Sequence, residues 1–531
     1  MKESNVTIST VTLCGVMAVC GTQDTLAQPK IENIKNNRPN VIFILLDDAG
    51  YGDFGCYGQT KIETPNIDAL AERGIRFTDM YAGAPVSAPS RCTLMTGLHS
   101  GHAQIRSNDE MLGRGNVWSI GAMEQHPELE GQYPMQQGTT TIASVMREAG
   151  YKTAMVGKWG LGGPESKSTP LDMGFDYFYG YLCQRMAQCY YPPFLYNGYE
   201  REYTTNPKME LGARLDEGAD PYSVGSYAKF KGSTYSPDAI YERMERFIEQ
   251  NRDDNFFLMW TTTIPHSALT APDEWVEKYV KKFGDESPVY TGKGYFPTRY
   301  PRATYAAMLS YLDFQIGNLV KLLKDKGLYD NTIIMFTSDN GPSHNAYTST
   351  NWFDCAHPFR SDKGWTKRSL HEGGIRMPFI VAWGNRLVPD VSDYVGYFPD
   401  VMPTLCDIAG VKAPKSDGVS FYPTLLGERQ PKHDYLYWEF PPFRNDKGWL
   451  SVRMGQWKGL VESVADGCTD MQLYDIKADP REQNNVAQQH PEVVAAMWRA
   501  IKQSHTKSNH PLFNLDITFP QKNTKNFDKR K

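Results

Sequence analysis

Residues 40–48 read NVIFILLDD, an apolar run that ends in two aspartates. The run is rich in β-branched and aromatic residues and does not alternate with polar ones, which is typical of a strand buried on both faces of a parallel sheet. In open α/β sheets, ligands bind beyond the carboxyl ends of the strands. Asp47 and Asp48 are therefore candidate site residues.

Similar apolar runs recur along the chain and alternate with amphipathic segments. The further runs are TAMVGK (153–158), FFLMWTT (256–262), TIIMFTSD (332–339) and MPFIVAW (377–383). The helical patterns are NIDALAERG (66–74), PDAIYERMERFIEQNRD (237–253) and YAAMLSYLDFQIGNLVKLLKDKG (305–327). This alternation predicts an α/β fold with a large mixed, mostly parallel sheet sandwiched by helices.

The pattern changes toward the C-terminus, where LYWEF (436–440) and SVRMGQWKGLV (451–461) precede a helix from Pro491. We expect a catalytic domain over residues 38–430, a C-terminal subdomain over 431–519 made of an antiparallel sheet and a helix, and a basic, disordered tail over 520–531. Long polar and aromatic stretches at 98–140 and 162–237 are expected to determine substrate specificity.

The N-terminus resembles an export signal. Lys2 precedes a short apolar run from Val11 to Val19, and a small-residue site follows near Ala27, so residues 1–27 are predicted to be a cleaved signal peptide. We expect a periplasmic protein; an outer-membrane lipoprotein attached through Cys20 and a secreted protein are the alternatives. No segment approaches the roughly 20 apolar residues of a membrane-spanning helix.

Composition argues against nucleic acid as a partner and against a metal site of the CxxC type. The chain has 531 residues, 22% charged residues and a net charge of −5, which does not favour nucleic acid. Nine cysteines include Cys14 and Cys20 in the predicted signal, and the other seven show no CxxC spacing, so most are expected to be buried thiols. A disulfide between Cys183 and Cys189 is the alternative that their spacing leaves open.

Two predicted strands end in oxygen ligands. Asp47 and Asp48 end the stretch at 40–48, and Asp339 and Asn340 end the stretch that begins at Thr332. An aspartate after a strand often caps a turn, but two such clusters in one sheet favour a metal site. Three carboxylates and one amide carbonyl suit Ca²⁺ or Mg²⁺ rather than zinc.

The stretch PVSAPSRCTLMTG (85–97) has two interpretations. Ser87 and Pro89 suit a capped turn into a helix, with the serine hydroxyl accepting from free backbone N–H groups. The other interpretation is a catalytic motif.

The catalytic interpretation rests on a resemblance that runs from about residue 38 to about residue 491. The motifs that carry it are DDAGYGDFGCYG (47–58), TPNIDALAERGIRFTDMYAGAPVSAPSRCTLMTG (64–97), VGKWGLGG (156–163), PHSAL (265–269), TSDNGP (337–342), KRSLHEGGIRMP (367–378) and LYDIKADPREQNNVA (473–487). In this order they resemble the type I, formylglycine-dependent sulfatases of the alkaline phosphatase superfamily, in the serine-type, arylsulfatase-like form found in bacteria.

The resemblance implies a Ca²⁺-dependent sulfuric ester hydrolase. It implies that Ser87 is oxidised to formylglycine (3-oxoalanine) by a radical maturase and that the ion is held by Asp47, Asp48, Asp339, Asn340 and the modified Ser87. Arg91 would steady the formylglycine hydrate, and Lys158 and Lys367 would hold sulfate oxygens. His266 would be the general acid at the bridging ester oxygen. Glu372 and Arg376 are interpreted as structural supports.

The resemblance also explains why a plain serine would not suffice. A serine that attacked sulfur would leave a sulfate ester that is itself hard to hydrolyse. An aldehyde hydrate carries two hydroxyls on one carbon: the first attacks sulfur, and loss of a proton from the second expels sulfate and restores the aldehyde.

One position departs from the family pattern, because Gly160 in GKWGLGG stands where many sulfatases have a histidine that assists turnover. His344 and a water held by a metal-bound carboxylate are the alternatives for that role. The expected substrate is a galactose- or N-acetylgalactosamine-type sulfate of host or algal glycans. A phosphodiesterase or phosphonate hydrolase of the same superfamily, and a non-catalytic glycan-binding homologue, are the alternative functions.

Overall fold

The five apolar runs are strands of one ten-stranded sheet in the computed structural model, which describes residues 38–109, 117–290 and 295–520. The predicted signal peptide, and the predicted tail beyond residue 520, lie outside these residues. In chain order the described strands are β1 (Asn40–Leu46), β2 (Ile75–Phe77), β3 (Met80–Tyr81), β4 (Lys152–Lys158), β5 (Tyr177–Tyr181), β6 (Phe194–Asn197), β7 (Glu200–Tyr203), β8 (Phe256–Thr261), β9 (Thr332–Ser338), β10 (Phe379–Trp383), β11 (Asp390–Ser392), β12 (Gly396–Tyr397), β13 (Leu436–Phe440), β14 (Trp449–Met454), β15 (Trp457–Glu462) and β16 (Gln472–Asp475).

The main sheet has the order β11-β2-β10-β9-β1-β8-β4-β5-β6-β7. Its centre is parallel, since β1 pairs in parallel with both β8 and β9, and β4 pairs in parallel with β8 and β5. Antiparallel pairs join β10 to β9 and β2 on one side, and β6 to β5 and β7 on the other. The predicted mixed, mostly parallel sheet is confirmed.

The described α-helices include the three predicted from amphipathic patterns. In chain order they are α1 (Pro65–Arg73), α2 (Ser87–Thr96), α3 (Ile120–Gln125), α4 (Ile142–Glu148), α5 (Ser236–Gln250), α6 (Asp273–Phe283), α7 (Pro301–Asp325), α8 (Thr350–Phe353), α9 (Glu372–Ile375), α10 (Val401–Ala409), α11 (Tyr422–Leu425) and α12 (Pro491–Ser504). Every residue of β1 and β9 is buried. Since successive strand residues point to opposite faces, both faces of the sheet centre are covered.

A small antiparallel sheet of order β13-β14-β15-β16 lies near the C-terminus, as predicted. Met497 and Ile501 of α12 pack in one apolar cluster with Val452 and Val461 of this sheet. Both sheets belong to the same compact unit. The division of the chain at residue 430 stays a prediction.

Buried charges connect the small sheet to the main one. Lys458 Nζ of β15 lies 2.7 Å from Glu372 Oε1 of α9, and Arg376 Nη1 lies 2.8 Å from Glu372 Oε2. Arg453 Nη2 of β14 lies 2.6 Å from Asp79 Oδ1. The interpretation of Glu372 and Arg376 as structural supports agrees with these contacts.

Among the described residues, no helix is long and apolar enough to cross a bilayer. Seven cysteines are described, and all are free thiols, five of them buried. The alternative of a disulfide between Cys183 and Cys189 is therefore wrong, since both are buried free thiols.

Candidate active site

Three strands from the parallel centre of the main sheet place predicted polar residues at their carboxyl ends. β1 leads into Asp47 and Asp48, β9 leads into Asp339 and Asn340, and Lys158 is the last residue of β4. The backbone continues the pairing past the strands, since Asp339 N donates to Leu46 O at 3.0 Å. Sequence positions almost 300 residues apart therefore meet beyond the carboxyl ends of the strands.

Ser87 is the first residue of α2, a helix whose every residue is buried. Its side chain does not cap the helix, contrary to the simple turn interpretation. Instead Asn108 Oδ1 accepts from Ala88 N at 2.7 Å, and Pro89 has no N–H to satisfy. The Ser87 hydroxyl is thereby free to face the ends of β1 and β9.

The Ser87 hydroxyl lies among oxygen acceptors and one ammonium group. Its Oγ is 3.3 Å from Asp47 Oδ1 and 3.3 Å from Asn340 Oδ1, and it accepts from Lys158 Nζ at 3.4 Å. Lys158 Nζ also donates to Asp47 Oδ2 at 2.6 Å. Ser87 is 1% exposed, so this polar cluster is largely shielded from bulk water.

Arg91, one turn along α2 from Ser87, ties this helix to two strands. Its Nε donates to Asp339 Oδ2 at 3.0 Å, and its Nη1 donates to the backbone oxygen of Lys158 at 2.8 Å. Asp339 Oδ1 accepts from Asp48 N at 3.2 Å. These contacts fix Arg91 beside the cluster and hold Asp339 in place through both of its oxygens.

A further set of contacts in the cluster surrounds the carboxylate of Asp48, whose backbone is left-handed with φ of 68°. Lys367 Nζ lies 2.5 Å and 2.8 Å from its two carboxylate oxygens, and Asn340 Nδ2 donates to Oδ1 at 2.8 Å. His266 Nε2 lies 3.5 Å from Asp48 Oδ2. The structure thus brings all nine predicted site residues into one cluster.

Charge and burial oppose each other in this cluster. Burial disfavours the charged form of Asp47, but Lys158 and His266 outweigh it and hold the pKa of Asp47 below its ordinary value. Burial lowers the pKa of Lys158 despite the nearby Asp47 carboxylate. For Lys367, burial is outweighed by the carboxylates, chiefly that of Asp48, which raise its pKa.

His266 has a defined orientation because its Nδ1 contacts the backbone oxygen of Ser267. If Nδ1 carries the proton that this contact favours, Nε2 is the nitrogen that faces Asp48 and the cavity. Burial lowers the pKa of His266, and the Asp48 and Asp47 carboxylates only partly offset it. His266 also belongs, with Asp47 and Asp48, to a group whose ligand atoms lie within 4.8 Å of one another.

A cavity of about 460 Å³ opens onto the cluster. Its lining includes Lys158, His266 and Lys367, together with residues that sequence reasoning did not select: Asn108, Trp118, Gln184, Gln188, Tyr295, Arg444 and Trp449. Four of these come from the two long stretches that were expected to determine specificity. The stretches were recognisable, but no feature of the sequence distinguished the individual residues.

The side chain of Gln184 occupies the space beside Gly160. Gly160 has φ of +82°, and a Cβ there would lie 2.7 Å from Gln184 Cγ. Gln184 Nε2 donates to Gly160 O at 3.3 Å. His344 lines the same cavity as an exposed residue, with its Nδ1 2.6 Å from Thr350 Oγ1. The side chain next to Gly160 is thus a neutral amide.

A second group with metal-type ligands, not selected from the sequence, consists of His99, His102 and Asp417. His102 Nδ1 lies 2.9 Å from Asp417 Oδ2, and the two imidazole rings stack with centroids 4.1 Å apart. His99 Nδ1 accepts from Gly101 N at 3.2 Å, and burial lowers the pKa of His99 to about 4. These contacts form a hydrogen-bond network between the loop that follows α2 and the loop at Asp417.

Comparison with known proteins gives one consistent result. The family model described as Sulfatase matches residues 39–411, and the model described as N-sulphoglucosamine sulphohydrolase, C-terminal, matches residues 361–507. The chain is 28% identical to an N-acetylgalactosamine-6-O-sulfatase of Bacteroides thetaiotaomicron, over 93% of this chain and 98% of that protein. It is 29% identical to human arylsulfatase A, over 86% of each chain.

A solved structure agrees with these matches. It is described as Ps i-CgsB in complex with k-i-k-neocarrahexaose, and it aligns with a TM-score of 0.66 and 26% identity. The alignment covers 88% of this chain and 92% of that one.

Proposed function

Because this chain belongs to the sulfatase family and is a sulfuric ester hydrolase, we propose that it removes sulfate from carbohydrates with a formylglycine made from Ser87. The observation that carries the proposal is the place of the Ser87 hydroxyl, 3.3 Å from Asp47 Oδ1 and from Asn340 Oδ1 at the start of α2. A nucleophile there faces both the oxygen ligands and the positive end of a helix.

The donors around Ser87 fit Ca²⁺, since all of them are oxygens and three are carboxylates. The ion would be held by residue 87 and by the four side chains that follow β1 and β9, which are Asp47, Asp48, Asp339 and Asn340. When bound, Ca²⁺ polarises the sulfuryl group and favours an anionic oxygen nucleophile. A zinc site is disfavoured because protein zinc sites are usually built on nitrogen or sulfur ligands, and these four side chains and residue 87 offer only oxygens.

Three cations in the proposed site bind or orient the sulfate group. Lys158 Nζ, 3.4 Å from Ser87 Oγ, and Lys367 Nζ lie where sulfate oxygens would approach the nucleophile. Arg91 acts on residue 87 and Asp339 from the helix. In a buried, largely dehydrated site, fixed cations stabilise the charge that builds on the sulfuryl oxygens more strongly than they would in water.

His266 is the proposed general acid. Its Nδ1 contact with the Ser267 backbone oxygen leaves Nε2 facing the cavity, and Nε2 delivers a proton to the bridging oxygen from the imidazolium form, which Asp48 and Asp47 favour and burial opposes. A sugar alkoxide is a poor leaving group, so this proton transfer matters most for sugar sulfates.

A carbohydrate substrate is supported by the walls of the cavity. Trp118, Tyr295 and Trp449 offer faces on which a sugar ring can stack. Arg444 adds positive charge at the rim, whereas Arg368 is paired with Asp446 at 2.7 Å. The names of the relatives, an N-acetylgalactosamine-6-O-sulfatase among them, agree with a galactose- or N-acetylgalactosamine-type sulfate. We further propose export to the periplasm, which places maturation by a radical maturase before transport.

Mass spectrometry of the Ser87 peptide tests the proposal. Protein from cells with the maturase should show a loss of two hydrogens at Ser87 and cleave both 4-nitrophenyl sulfate and N-acetylgalactosamine 6-sulfate. Protein from cells without it, and the Ser87→Ala variant, should cleave neither while unfolding at the same temperature. Full activity of unmodified Ser87 would overturn the mechanism, and faster cleavage of the matched phosphate would favour the phosphodiesterase alternative.

A further inference from the structure

The segment after β5 lies beyond the carboxyl ends of the parallel strands, where the proposed catalytic residues also lie. β4 and β5 are parallel neighbours, and the pairing continues beyond them, because Trp159 N donates to Tyr181 O at 2.8 Å and Gly160 N donates to Leu182 O at 3.1 Å. Residues that follow Tyr181 therefore enter the cavity next to Lys158. Two of them, Gln184 and Gln188, line it.

Gln188 is unusual among the cavity residues. The residue is 8% exposed, and its Oε1 is a buried atom with no hydrogen-bond partner among the described residues. A buried carbonyl without a partner costs about 1–3 kcal/mol, so most such groups in proteins are paired. An unpaired acceptor on a side chain that lines a substrate cavity therefore indicates a donor that arrives with the ligand.

The backbone around Gln188 is held firmly. Residues Met186–Gln188 form a short 3₁₀ turn, with Gln188 N donating to Arg185 O at 3.1 Å. Two residues later, Tyr190 Oη lies 2.7 Å from Thr263 O and 2.9 Å from His266 O. Gln188 is thereby fixed relative to the loop that carries His266.

We propose that Gln188 is a substrate-recognition residue whose Oε1 accepts a hydrogen bond from a neutral donor, an O–H or an amide N–H, on the sugar ring that bears the sulfate ester. This inference rests on the proposed function. The sulfate group cannot be the partner, because an acceptor does not bind an anion that has no proton. Through Oε1, Gln188 therefore recognises the sugar and not the ester.

The test compares a sugar substrate with one that has no sugar. In Gln188→Met, an apolar side chain of similar length, kcat/KM for N-acetylgalactosamine 6-sulfate should fall about tenfold, the size of one neutral hydrogen bond. With 4-nitrophenyl sulfate it should change by less than about twofold. Gln188→Ala is the second variant, and Gln250→Leu, at an exposed position on α5, is the control.

Analogues of the sugar identify the donor. Single 3-deoxy and 4-deoxy analogues, and one without the acetamido group, are compared on the wild-type enzyme and on Gln188→Met. The analogue that lacks the donor should lose about tenfold with wild type and little with the variant. Because the acceptor has no protein partner, Gln188→Met should also unfold at the same temperature as wild type or a higher one.

The outcomes separate this inference from the function on which it rests. A modified wild-type enzyme that cleaves no sulfated sugar would overturn the proposed function. A wild type that cleaves both substrates, with Gln188→Met and Gln188→Ala losing equally on both or on neither, would overturn only the assignment of Gln188.

Discussion

Lys158 Nζ lies 2.6 Å from Asp47 Oδ2, and each side chain is only 2% exposed. Two opposite charges buried this deeply depend on each other, because either one alone would be left dehydrated and unpaired. The same lysine lies 3.4 Å from Ser87 Oγ, so the pair also fixes the charge next to the proposed nucleophile.

This ion pair should show strong coupling in a double-mutant cycle. Lys158→Met and Asp47→Asn should each lower the free energy of unfolding by about 3–5 kcal/mol, while the double variant should lose about 1–3 kcal/mol less than the sum. Urea unfolding in EDTA measures all three. Additive single effects would contradict the dependence, and the exposed pair Lys447–Asp466 should show coupling of less than about 1 kcal/mol.

Calcium should stabilise the folded protein. At about 100 times its dissociation constant, a ligand that binds only the folded state adds about 2.7 kcal/mol to the free energy of unfolding. EDTA should reverse the shift, and Asp339→Asn should abolish most of it, whereas Asp254→Asn at an exposed site should keep it. A shift given by zinc but not by calcium would contradict the proposed oxygen-ligand site.

Long apolar runs made the centre of the sheet predictable. β1, β4, β8 and β9 are strands that bury every side chain or nearly every one, so their composition identified them. The edge strand β7, with the sequence EREY and half-exposed side chains, has no such signal. It is a strand because β6 pairs with it, which is a tertiary effect that local sequence does not carry.

The proposed site was predictable only in part, for a similar reason. The polar residues that end β1 and β9 stood out, and the family resemblance added Ser87, Arg91 and the lysines. The contact between Gly160 and Gln184 depends on a left-handed backbone and on the path of a loop 24 residues away. Likewise, Asn108 replaces Ser87 as the helix cap only because a distant loop returns to α2.

His266→Ala should separate substrates by their leaving groups. If His266 Nε2 protonates the bridging oxygen, kcat for a sugar sulfate should fall about 10²–10⁴-fold, and kcat for 4-nitrophenyl sulfate should fall far less, because nitrophenolate leaves unaided. Steady-state kinetics on both substrates measures this, and equal losses would refute the role. The matched control is His344→Ala in the same cavity; a large loss on both substrates there would identify His344 as the group that assists turnover.

A histidine at position 160 should lower the stability of the folded protein. Gly160→His meets both a left-handed backbone, which costs about 1–2 kcal/mol, and the side chain of Gln184. Gly218→His measures the backbone cost alone, since Gly218 has φ of +76° and open space around its Cα. Gly160→His should be the less stable of the two in thermal unfolding, and Gln184→Ala should remove the difference. Equal stability of the two single variants would contradict the steric conflict.

The buried contacts of Lys458 predict that the two sheets unfold together. Its Nζ lies 2.7 Å from Glu372 Oε1 and 3.3 Å from Glu482 Oε1, and Lys458 and Glu372 are fully buried. Lys458→Met leaves these carboxylates without their shared cation, so it should lower the free energy of unfolding by about 3–5 kcal/mol. Lys447→Met, at an exposed position in the loop before β14, should change it by less than about 0.5 kcal/mol.

Circular dichroism and limited proteolysis during urea unfolding measure this coupling. A single transition, with cleavage sites in both sheets exposed at the same urea concentration, is expected for wild type and for Lys458→Met. The reason is that Glu372 also holds Arg376 at 2.8 Å and the hydroxyl of Tyr81, in β3, at 2.8 Å, so the segments that join β2 to α2 and α9 to β10 lose their support when the small sheet leaves. Earlier proteolysis confined to residues 431–519 would contradict this coupling and would instead favour an independently folding C-terminal subdomain.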